Sequence, residues 1–156
     1  MVGRRPAIVT TAGIVLIAVG VLSAGFGVWR AIELFDIRGD VAVFESIFGP
    51  TDLESQLMIL IVLCLLGVVG STLAIVGGAR FLAQSRAGVI LGMIGTITLI
   101  VAWGGYLAYQ LIVGLSPDGV EWAGAIGSVV GAGVGLGLLL GGRRHVAAPR
   151  STPWAA

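Results

Sequence analysis

Four long apolar runs constrain the fold of this chain more than any other feature of its sequence. Each contains at least 23 residues, and Glu121, at the edge of the fourth run, is the only charged residue inside them. The runs cover approximately residues 7–29, 56–79, 87–113 and 120–142. About 20 helical residues cross a hydrocarbon core of roughly 30 Å. Because a backbone in lipid must satisfy its own hydrogen bonds, each run predicts a transmembrane helix.

The composition favours a lipid environment for the whole chain. Hydrophobic residues make up 57% of it and charged residues 11%, whereas soluble domains carry about 25% charged residues. The connections after the second and third runs are short, so we expect successive spans to be antiparallel neighbours. The predicted fold class is therefore an all-α membrane protein, in which residues 1–142 form an antiparallel bundle of four transmembrane helices within the lipid bilayer.

A cleaved signal peptide is the competing interpretation of the first run. Its basic start at Arg4 and Arg5 and its small residues Ser23 and Ala24 suit such a peptide. However, the apolar stretch continues to Trp29, which is longer than the usual signal core of about 7–15 residues. We therefore favour an uncleaved span.

The arginines predict the orientation of the four spans. One side of the bundle holds seven arginines and no acid, and the other holds two arginines and all eight acids. Cytoplasmic loops are enriched in positive residues, so we predict a multi-pass protein of the cell membrane with cytoplasmic N- and C-termini. We expect the tail, residues 143–156, to be disordered, since it contains Pro149 and Pro153 and few apolar residues.

The segment between the first two spans, residues 30–55, is the only long connection. Val43, Phe44, Ile47 and Phe48 share one face of a helix, so we expect a short amphipathic helix on the outer membrane surface. Gly49 and the residues after it predict a turn and the start of the second helix. The amphipathic face has two possible uses: a lid that buries its phenylalanines against the chain's own spans, or a docking surface for a partner protein or lipid.

Glycine spacing is the clearest sign of close helix packing. The chain contains 26 glycines, and small residues four positions apart let helix backbones approach closely in a membrane. The candidate packing residues are Gly88, Gly92 and Gly95 in the third span, and two interleaved series in the fourth, Gly127, Gly131 and Gly135 with Gly133 and Gly137. Two glycine faces on one helix favour a contact outside the chain, although tight internal packing is the alternative.

Residues that could carry chemistry are sparse within the spans. No carboxylate lies at mid-span, His145 lies beyond the fourth run, and Cys64 is the only cysteine. Proton-coupled transport, haem ligation and metal binding need such groups inside the bundle. We therefore predict a protein that is not an enzyme, with no catalytic residue, no cofactor and no metal site.

These observations predict a membrane protein that works by packing. The expected function is that of an accessory, assembly or scaffold subunit, bound through its glycine-rich helices to another membrane protein or to further copies of itself. No nucleic-acid partner is expected. The alternative is a small oligomeric permease, channel or pore, because glycine-rich bundles can assemble around a pathway lined by backbone carbonyls.

Overall fold

The computed structural model describes residues 6–146, and this part of the chain consists of four α-helices joined by short connections. The helices are α1 (Ala7–Phe48), α2 (Leu53–Leu82), α3 (Arg86–Ile112) and α4 (Gly119–Val146). All four are long and apolar enough to cross a membrane. The shortest, α3, has 27 residues and measures about 40 Å at 1.5 Å per residue. The prediction of an all-helical chain with four membrane-length helices is confirmed.

Helix α1 is longer than the sequence pattern indicated. It does not end near Trp29 but continues for 42 residues to Phe48. Its outer half contains no proline and one glycine, Gly39, and a single glycine costs a helix only about 1 kcal/mol. The helix stops at Gly49, whose φ of 100° suits glycine, and Pro50 follows. The expected loop is therefore helical as far as Phe48, and the amphipathic segment forms the last turns of α1.

The helices pack in a closed ring. Helices α1 and α3 each contact both α2 and α4. Large side chains fill the interior; the largest that are fully buried are Trp103, Tyr106, Phe81, Leu16, Leu34 and Leu60. The core has two parts, one around Trp103 and Tyr106 and one around Leu16 and Phe81. The close packing of these side chains stabilises the contacts between the helices.

The two ends of the bundle differ in charge. What we call the arginine end contains the α2–α3 connection and the last turn of α4, because a side chain at Gly142 would meet the Phe81 ring. It holds Arg80, Arg86, Arg143 and Arg144. What we call the acidic end contains the α1–α2 and α3–α4 connections and all eight acids of the chain.

Part of the expected tail is helical. Helix α4 continues to Val146, so Arg143, Arg144 and His145 form its last turn. Basic side chains in a last turn complement the negative end of the helix dipole, which accounts for the extension. The rest of the tail, residues 147–156, and the expected basic start at Arg4 and Arg5 lie outside the described residues.

Candidate functional site

Three glycines of α3, Gly88, Gly92 and Gly95, lie in close contacts between helices. A Cβ atom built on Gly88 would lie 2.8 Å from the Cα of Phe81, and one on Gly95 would lie 2.9 Å from the Cα of Ala74. Gly92 also faces α4, where Leu139 Cδ1 would lie 2.5 Å from an added Cβ. A methyl group on Gly88 or Gly95 would therefore meet the backbone of α2, whereas one on Gly92 would meet the end of the Leu139 side chain. These three glycines therefore allow the close contacts within the bundle.

The glycines of α4 divide into two sets that the sequence series did not separate. Gly131 and Gly135 face α1: an added Cβ would lie 2.8 Å from Val19 Cγ2 and 3.1 Å from Leu16 Cδ2, respectively. By contrast, Gly127, Gly133 and Gly137 are exposed, and nothing lies within 4 Å of a Cβ built on any of them. The sequence spacing grouped Gly127 with Gly131 and Gly135, but in the structure Gly127 is open like Gly133 and Gly137.

A groove between α1 and α4 begins beside Gly127 and extends toward the acidic end. It has a volume of about 370 Å³ and is lined by Leu22, Ser23, Phe26, Val120, Ala123, Gly124, Gly127 and Ser128. Two buried hydroxyls join its walls, because Ser23 Oγ donates a hydrogen bond to Ser128 Oγ at 2.8 Å. The open glycines Gly127, Gly133 and Gly137, together with the exposed Val130 and Val134, form what we call the α4 glycine face.

A buried polar cluster, which the sequence analysis missed, ties three helices together near the acidic end. Arg30 of α1 forms an ion pair with Glu121 of α4, and its Nε donates to the Tyr106 hydroxyl of α3 at 2.7 Å. The Tyr106 hydroxyl in turn donates to Glu121 Oε1 at 3.2 Å. Both charged side chains are largely buried, at 12% and 6% exposure. Arg30 also pairs with Glu33 at 2.6 Å, one turn further along α1.

Glu121 also caps the start of α4. The backbone N–H of Glu121 donates to Asp118 Oδ1 at 2.7 Å, and the backbone N–H of Asp118 donates to Glu121 Oε2 at 3.0 Å. This reciprocal pair is a capping box. Its spacing, an acid three residues before another at the start of an apolar run, is visible in the sequence and could have been found there.

The carboxylate of Glu121 is used in contacts between helices. One of its oxygens accepts from Arg30 and Tyr106, while the other accepts from the Asp118 backbone. These contacts hold α1, α3 and α4 together at this point. Among residues 6–146, no three side chains of His, Cys, Asp or Glu converge as a metal site requires.

The outer amphipathic face is uncovered. Exposure is 61% for Val43, 47% for Phe44, 68% for Ile47 and 72% for Phe48. The two phenylalanine rings lie 4.6 Å apart and contact each other. The lid interpretation, in which these rings are buried against the chain's own spans, is therefore wrong. The reason is that α1 continues outward in one helix and does not fold back over the bundle.

No family model, curated protein or solved structure matches this chain.

Proposed function

We propose that this chain is a multi-pass protein of the cell membrane that acts as an accessory, assembly or scaffold subunit, binding another transmembrane helix at its α4 glycine face. The four helices then run antiparallel, with both termini in the cytoplasm. Connections as short as those at 83–85 and 113–118 support the antiparallel order, and the arginine end supports the orientation.

The open glycines of α4 carry the proposal. Gly127, Gly133 and Gly137 have empty space beside them, whereas Gly131 and Gly135 of the same helix face α1. Helix association in lipid depends on van der Waals packing, and small residues allow the backbones to approach. An exposed glycine face therefore suits a second helix better than it suits lipid chains.

The position of α4 in the bundle also supports the α4 glycine face as the binding surface. Within its most apolar window, 28% of the residues are buried, against 39% in α2 and in α3. Helix α4 is thus the least covered of these three, and Val130 and Val134 beside the glycines are 59% and 53% exposed. These valines form ridges that a partner helix can pack between. The partner is either a second copy of the chain or a helix of another membrane protein.

Enzymatic activity has little to support it. General acid–base catalysis requires a titratable group that can reach the reacting atoms, and the carboxylate of Glu121 is 6% exposed and bound to Arg30, Tyr106 and the Asp118 backbone. The permease or pore alternative depends on assembly, because Trp103 and Tyr106 fill the interior of the single bundle. A solute pathway would have to lie between copies.

Substitutions on α4 test the proposal. Gly133→Leu and Gly137→Leu place a bulky side chain on the open face, and an overpacked contact costs about 1–3 kcal/mol. We expect about tenfold weaker association, measured by copurification from native membranes and by sedimentation in mild detergent. Gly104→Leu on α3 is the matched control, since its glycine also has nothing within 4 Å.

Three results would count against the proposal. They are an isolated monomer in every mild detergent, equal association of the α4 variants and the α3 control, and loss of the fold in the α4 variants. Gly131 and Gly135 are unsuitable for this test because they face Val19 and Leu16. Substitution of either glycine by a larger residue would disturb the internal packing of the bundle.

A further inference from the structure

A second cavity lies at the arginine end, between the start of α3 and the last turn of α4. Its volume is about 380 Å³. Three arginines and three apolar residues line it: Arg86, Arg143, Arg144, Val89, Ile90 and Val146. The three arginines are exposed. The cavity therefore joins a strongly basic rim to an apolar wall.

The acidic side chains of the chain lie at the opposite end of the bundle from this cavity. All eight acids of the chain lie between residues 33 and 121, on the segments that form the acidic end. Arg80 adds a fourth positive charge at the arginine end without lining the cavity. A helix start also faces this region, and the Ser85 side chain makes no capping hydrogen bond there. Its dipole adds to the positive potential.

We propose that this cavity binds an anionic phospholipid, with the headgroup phosphate on the arginines and an acyl chain along the apolar wall. Guanidinium groups bind phosphate oxygens in a bidentate manner. Val89, Ile90 and Val146 offer nothing to inorganic phosphate, but they bury hydrocarbon from a lipid. A net negative headgroup is favoured over a zwitterionic one, because the cationic group of the latter is repelled by the arginines. The inference requires the proposed membrane location but not a protein partner.

Lipid titration of the full-length protein in mild detergent tests this inference by native mass spectrometry. Phosphatidylglycerol and phosphatidylcholine with identical acyl chains are the two probes. We expect preferential binding of phosphatidylglycerol, weakened by added salt because the headgroup contact is electrostatic. Equal binding of the two lipids would overturn the proposal.

Two arginines that flank the same connection provide matched variants. Arg80 and Arg86 are both exposed on either side of residues 83–85, so Arg80→Gln and Arg86→Gln change the charge of that connection equally. Of these two arginines, only Arg86 lines the cavity. An arginine near an anionic surface contributes enough for about a fivefold change in affinity. We expect that loss for Arg86→Gln and for Arg143→Gln, and a smaller one for Arg80→Gln. Equal losses for Arg80→Gln and Arg86→Gln would indicate a diffuse charge effect and refute a site.

Competition separates a lipid from a free phosphate. Inorganic phosphate in large excess over the lipid is expected to leave phosphatidylglycerol bound, and Ile90→Ser is expected to weaken lipid binding. Displacement at comparable concentrations, with no effect of Ile90→Ser, would assign the cavity to free phosphate and overturn the lipid proposal. These readouts do not involve helix association, so they can fail while the proposed scaffold function stands.

Discussion

At the scale of single residues, Arg30 and Glu121 form an ion pair that is largely buried, at 12% and 6% exposure. Two charges moved out of water lose several kcal/mol of hydration each, and their attraction repays that cost only when the remaining hydrogen bonds are made. Here Tyr106 and the capping box make those bonds. The cluster stabilises the packing of α1, α3 and α4 as long as both charges are present.

Glu121→Gln is expected to destabilise the protein by about 3 kcal/mol, because it leaves Arg30 charged and largely buried without its cross-helix partner. Equilibrium unfolding in mixed detergent micelles measures the change. Glu54→Gln is the control, since the Arg38–Glu54 pair is 37% and 41% exposed and exposed pairs contribute at most about 1 kcal/mol. Similar losses for the two variants would contradict a structural role of the buried pair.

Gly95→Ala is expected to cost about 1–3 kcal/mol, because its methyl group would meet the backbone of Ala74 and force α2 and α3 apart. Gly104→Ala on the same helix meets nothing within 4 Å and should leave stability unchanged or slightly raised. The same unfolding measurement compares them. If both substitutions left stability unchanged, α2 and α3 would not be as close at Gly95 as we describe.

At the scale of elements, α1 differs from the other three helices in its outer half. This half is joined to α2 by polar contacts: Arg38 Nη2 donates to Glu54 Oε1 at 2.6 Å, and the Thr51 backbone N–H donates to Glu45 Oε1 at 3.1 Å. These contacts fix the connection, while the apolar face that contains Phe44 and Phe48 stays uncovered. The extension is thus ordered by α2 and presents an apolar surface outside the core.

Hydrogen exchange tests whether α1 is continuous. Backbone amides from 34 to 46 lie in the interior of the helix, where each N–H is bonded four residues back. We expect them to exchange far more slowly than the Ser116 amide in the irregular α3–α4 connection, whereas the amides of Leu115 and Asp118 there donate hydrogen bonds of their own. The exchange rates are measured by mass spectrometry in detergent. Comparable rates in the two segments would show that residues 34–46 form a loop, as the sequence pattern suggested.

At the scale of the whole molecule, the separation of charge between the two ends sets the expected orientation. Positive residues are retained on the cytoplasmic side during insertion, and the arginine end has no acidic side chain. This end is also where we place the anionic phospholipid. The proposed orientation and the lipid proposal thus draw on the same asymmetry, although their tests are independent.

Cysteine labelling in intact cells measures the orientation. Cys64 is buried, and Cys64→Ser provides a background without thiols. In that background we expect a membrane-impermeant maleimide to label Asp52→Cys at the acidic end and to leave Ala83→Cys at the arginine end unlabelled until the cells are opened. Both positions are exposed. The reverse pattern would invert the proposed topology.

The order of residues along the chain was enough to predict four membrane-length helices and a turn at Gly49 and Pro50, but not that α1 continues unbroken to that turn. Apolar length and helix-breaking residues are local properties, and they can be read without knowing what packs against them. The three-dimensional packing decided the rest: Gly131 and Gly135 face inward, Gly133 and Gly137 face outward, and Arg30 meets Glu121. These outcomes depend on how each helix is rotated against its neighbours, since residues 91 positions apart become partners only when the faces that carry them meet.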